Sequence, residues 1–68
     1  MRIRYFVDTD TALIDFTSKS VAETKEISEN IYIDVDGDGN PVSMTIEHAK
    51  QTGALEELVY REVGAPSP

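Results

Sequence analysis

The sequence predicts an α+β fold: an antiparallel five-stranded meander sheet with one C-terminal helix packed on one face. Three observations predict it. Apolar residues alternate at period two in five short runs, polar turn residues separate those runs, and from Thr52 the apolar period lengthens to that of a helix. At 68 residues there is room for one domain, set at 1–64, with 65–68 as a disordered tail.

Ile3, Tyr5 and Val7 alternate, as do Ala12, Ile14 and Phe16, which makes two strands. Between them Asp8, Thr9, Asp10 and Thr11 are short polar residues that bond their own backbone, so the pair reads as a hairpin. Ser18, Lys19 and Ser20 then punctuate the chain before a third strand, Val21 to Ile27. Its charges at Glu23 and Lys25 suit a sheet edge. Glu29 and Asn30 form the next turn, with Asn30 tolerant of positive φ. Ile31, Ile33 and Val35 give the fourth strand.

Asp36 to Pro41 is the strongest turn signal, and Val42, Met44 and Ile46 give the fifth strand. Pro41 fits that strand's first position, where its missing donor costs little. Leu55, Leu58, Val59 and Val63 then trace a helical stripe, with Thr52 as N-cap, Glu56 and Glu57 near the start, Arg61 near the end and Gly64 just past it. One helix cannot cover five strands. The leftover apolar surface argues for a homodimer or another protein as partner, and a terminal helix after Gly53 is easily exchanged between protomers.

Composition narrows the function. Six basic against thirteen acidic residues give a net charge of −7, and Arg2, Arg4, Lys19, Lys25, Lys50 and Arg61 are scattered, which argues against nucleic acid as a direct partner. An acidic surface favours basic proteins or cations. With no cysteine there is no disulfide, thiol nucleophile or thiolate metal site, and a core of this size supplies about 3–5 kcal/mol unaided. No apolar run matches a secretory leader or the roughly 18 residues of a membrane span, so the expected location is the cytoplasm, with no membrane partner.

Three constellations carry possible chemistry. Asp34, Asp36, Asp38 and Gly39 reproduce the first half of an EF-hand loop, so these three aspartates are the candidate metal ligands. The second half departs: Pro41 stands at position eight, Thr45 replaces the bidentate Glu at twelve, and strands flank the loop. That points to a polar hairpin loop with weak Ca²⁺ affinity at most. His48, the one histidine, would act as a general base with Ser43 or Thr45 as nucleophile. Along a strand, however, Glu47 and His48 point to opposite faces, so His48 reads as a helix-entry or surface residue. Asp8, Asp10, Asp15, Asp34 and Asp36 supply carboxylate pairs, but so short a chain has little material for a substrate cleft.

Tyr5; Asp10 with Ala12, Leu13 and Ile14; Val21, Ala22 and Glu23; and Ile33, Asp34, Asp36, Gly39, Val42, Met44, Ile46 and Ala49 together form a pattern over residues 1–50. In that pattern the chain resembles the bacterial and archaeal family known as domain of unknown function 2283, small proteins with two hairpins and an Asp-rich turn before the last strand. Ser43 stands where that family usually has Gly, Thr45 where it has an acid, and the segment from Thr52 extends past where many members stop. The resemblance implies a compact α+β fold and carries over no catalytic residue. The expected function is a non-enzymatic acidic interaction module without a cofactor: a homodimer, or an antitoxin- or inhibitor-like binder of a basic protein. Weak Ca²⁺ binding through Asp34, Asp36 and Asp38 comes second, and a small hydrolase using His48 third.

Overall fold

The computed structural model describes residues 1–64. Strands β1 (Arg2–Phe6), β2 (Thr11–Asp15), β3 (Glu23–Ser28), β4 (Ile31–Val35) and β5 (Pro41–Ile46) form one antiparallel sheet. Period-two alternation placed all of them, with Pro41 opening β5 as expected. The order across the sheet is β1-β2-β5-β4-β3, not a meander. β3, β4 and β5 follow one another as hairpins, while β2 lies against β5, which is the Greek-key arrangement. The connection from β2 to β3 crosses the sheet's end, where Phe16 and Thr17 donate to the Val42 carbonyl and Ala22 donates to that of Val35.

The predicted C-terminal helix is absent: the described residues contain no helix, and the fold is all-β rather than α+β. The reason lies at Thr52. Its hydroxyl donates to the His48 carbonyl at 2.7 Å, so it closes the preceding turn and does not accept the N–H groups of a following one. The Thr52 amide also bonds the His48 carbonyl, and Gly53, at φ 78°, stops the turn in the left-handed conformation that favours glycine. Residues 56–64 run on exposed, and of the helical stripe only Leu55 packs on the core, while Leu58, Val59 and Val63 face solvent. A stripe of that length is marginal as an isolated helix in water. The predicted disordered tail, 65–68, lies outside the described residues. No helix among the described residues is long and apolar enough to cross a membrane.

Strand register sorts the side chains into two faces. On the apolar face, Tyr5, Ala12, Ile46 and Ile31 form one cross-strand row, and Ile3, Ile14, Met44 and Ile33 form the next. Ala12, Ile46 and Ala49 make the buried cluster, with Tyr5, Ile14, Ile31, Met44 and Leu55 packed around it. No large side chain among the described residues is fully buried, because the sheet has no second layer. On the opposite face Asp15, Ser43, Asp34 and Thr24 form a polar row. β3 takes the edge position its charges suggested, exposed along its whole length and kinked by a register shift between Glu26 and Ser28.

Candidate functional site

The three aspartates proposed as metal ligands sit in different settings. Asp34, on a strand with neighbours on both sides, accepts hydroxyl hydrogen bonds from Ser43 at 2.6 Å and Thr24 at 2.5 Å, one on each carboxylate oxygen. The Ser43 hydroxyl, then the Thr24 hydroxyl, hold its carboxyl below the usual range against a small opposing effect of burial. Asp36 is buried at the turn, where one of its oxygens accepts the Asp38 and Asn40 amides at 2.9 Å each. The Asn40 amide is the main influence lowering its pKa, with Asp38, Lys19 and Gly39 acting the same way. Gly39, at φ 84°, donates to the Asp36 carbonyl and supplies the backbone conformation that the turn requires. Asp38 is exposed. Among the described residues no three His, Asp or Glu side chains gather as a metal-holding group.

At the other end of the sheet, His48 turns the chain out of β5 with φ 53°, and its Nδ1 lies 3.0 Å from Asn30 Oδ1. The bend needed to aim His48 at Ser43 is not made, because the Ser43 hydroxyl is engaged by Asp34 on the polar face. Asn30 does not take positive φ; among non-glycine residues Asp10 and His48 do.

Asp10 organises this corner. Its Oδ1 accepts the Tyr5 hydroxyl at 2.6 Å and the Lys50 amide at 2.9 Å, its Oδ2 accepts the Gln51 amide at 3.1 Å, and its carbonyl accepts the Ala49 amide. The Tyr5 hydroxyl and the Lys50 amide are the leading causes that lower the Asp10 pKa, and the same bond raises that of Tyr5. Lys50 Nζ stands 4.6 Å from the Tyr5 ring centroid. One carboxylate thus clasps the turn after β5 onto the β1–β2 hairpin and seats Ala49 over Ala12. Sequence reading placed Asp10 only in a local turn. Its partners lie about 40 positions on, and no spacing rule reaches that far.

On the polar face, Tyr32 lies among carboxylates. Glu47 first, then Glu26 and Glu29, raise the pKa of its hydroxyl, with burial contributing, and every charge acting on it is negative. The Arg4–Asp15 pair, 3.0 Å apart, is the salt bridge found among the described residues, and it lies elsewhere on this face.

The apolar face divides in two. Ala49 and Leu55 cover the Tyr5–Ala12–Ile46–Ile31 row. The Ile3–Ile14–Met44–Ile33 row is half-buried, flanked near β1 by a groove that Met1, Ile3, Leu58, Val59 and Tyr60 line.

With this geometry in place, comparison with known proteins gives one match: the family described as "Protein of unknown function (DUF2283)" matches residues 2–50. No curated protein and no solved structure matches.

Proposed function

The chain belongs to the DUF2283 family, whose description assigns no activity, and on that footing we propose that it is a non-enzymatic, acidic protein-binding module. In this reading it acts in the cytoplasm on a basic protein, in the manner of a small antitoxin or inhibitor. The observation that carries the reading is the carboxylate setting of Tyr32, where Glu26, Glu29 and Glu47 bear on one aromatic side chain and no cation offsets them. A lysine or arginine of a partner meets two attractions there, the face of the ring and the surrounding negative charge. The net charge of −7 adds long-range steering toward a basic surface.

The test is affinity capture from the source cells with the native chain and with a triple variant, Glu26→Gln, Glu29→Gln and Glu47→Gln. The reading predicts a basic protein retained by the native chain, released as salt rises, and lost by the triple variant. Capture of nothing beyond the chain itself, or of a partner indifferent to the three substitutions, overturns it.

A further inference from the structure

We propose that the Ile3–Ile14–Met44–Ile33 row is the interface of a symmetric dimer, in which a second copy of the chain lays the same row against it and closes a two-layer β-sandwich. The inference goes beyond the binding of a basic protein, which uses the opposite face of the sheet.

It begins from a physical requirement. A sheet with one apolar face has to bury that face against another layer. This chain supplies only part of one: the turn bearing Ala49 and Leu55 covers the Tyr5–Ala12–Ile46–Ile31 row. The segment beyond does not cap the neighbouring row, since Leu58, Val59 and Tyr60 lie beside Met1 and Ile3 at the sheet's β1 side and stay 62%, 72% and 81% exposed.

Surface area fits one missing interface. The chain exposes 5418 Å², about a quarter more than the roughly 4,200 Å² expected of a compact monomer of its mass. Part of the excess is the exposed 56–64 stretch and part is the uncovered row. A standard interface removes about 800 Å² per partner, which returns the chain close to the ordinary value.

Charge selects a second copy as the occupant. Along this row Ile3, Ile14, Met44 and Ile33 are all uncharged, and charge appears only at its β3 end, where Lys25 is the partner of Ile33. The row offers nothing to steer a basic protein. Two copies of net charge −7 repel, and face-to-face packing keeps Asp15, Asp34 and Glu26 on the outer faces of the sandwich. A flat row of Ile and Met side chains is also its own complement about a two-fold axis, at the roughly 10 Å spacing of packed sheets.

The experiment is light scattering coupled to size exclusion across a dilution series, run on the native chain and on Met44→Lys. The expected result is twice the 7.5 kDa monomer mass for the native chain and the monomer mass for Met44→Lys, with unchanged far-ultraviolet circular dichroism. A native chain that is monomeric at every concentration, or a Met44→Lys chain that remains dimeric, overturns the proposal. Should Met44→Lys unfold, single-cysteine variants decide in a chain that has no other cysteine. Met44→Cys is then linked into dimers by a bismaleimide of about 10 Å reach, whereas Thr45→Cys, on the opposite face, is not; equal linking of both, or of neither, overturns it. Because the triple glutamine variant leaves this row intact, loss of the basic partner and loss of the dimer are separate results.

Discussion

The two rows of the apolar face are built from the same kinds of side chain on the same strands, yet one is covered and the other is not. Over Tyr5, Ala12, Ile46 and Ile31 the chain returns, and the Asp10 carboxylate holds it there through the Lys50 and Gln51 amides. One register step away, Ile3, Ile14, Met44 and Ile33 have no such return. The difference teaches that coverage is decided by a polar clasp at the sheet's end and not by hydrophobicity alone. Tyr5 and Asp10 direct Ala49 and Leu55 to one row, and Gly53 stops the turn before it reaches the other.

The largest effect that sharpens this contrast belongs to Ile46→Ala, in the covered row. It should cost about 2–5 kcal/mol in urea unfolding, as a cavity beside Ala12 and Ala49 that the small core cannot close. Met44→Ala in the uncovered row should cost the isolated monomer clearly less, since its side chain already meets solvent. Equal losses would erase the distinction between the rows.

Next in size is Asp10→Asn. The amide keeps one acceptor oxygen and turns an NH₂ group toward a backbone N–H, so the clasp loses a bond and Leu55 loosens from the core. Faster amide exchange confined to residues 49–55 is the expected sign, and uniform exchange across the whole chain would contradict it.

A smaller, graded effect is the response to pH. Asp10, Asp34 and Asp36 have carboxyl pKa values lowered from 3.8 in the fold. Their contribution is complete above that value and is lost as pH falls through the folded values, because the unfolded chain then binds more protons. Tyr5 and Tyr32 are raised from 10.0, so their contribution is complete below that value and is lost as pH rises through the folded values. Stability should therefore plateau between the two limits. Asp10→Asn should shallow the acid limb and Tyr5→Phe both limbs, as thermal melts across the pH range would show.

The smallest effect expected is that of Ca²⁺. Millimolar Ca²⁺ should leave the melting temperature unchanged, since Asp34 and Asp36 are already engaged by hydroxyl and amide donors. A rise in melting temperature that Asp38→Asn abolishes would restore the calcium reading of the turn.

What was legible in the sequence was local. Alternation at Ile3, Ala12, Ile31 and Met44 revealed strands because period two is a property of the strand itself, and Asp36 to Pro41 revealed a turn for the same reason. The pairing of Ile14 with Met44, which turns the expected meander into a Greek key, joins residues 30 positions apart, and alternation says nothing of such partners. The clasp on Asp10 was hidden likewise. Leu55, Leu58, Val59 and Val63 misled because a helical period states only which face a helix would have. Whether the helix forms depends on its start, and there Thr52 and Gly53 close a turn. The acidic setting of Tyr32 was visible only as net charge, since Glu26, Glu29 and Glu47 come from separate parts of the chain.

The most direct test is an isotope-filtered NMR experiment on a mixed sample of labelled and unlabelled chains, which reports contacts between copies alone. The account predicts intermolecular contacts among the methyl groups of Ile14, Ile33 and Met44 and none from Ile46 or Leu55. Intermolecular contacts from the covered row, or none from the uncovered one, would contradict it.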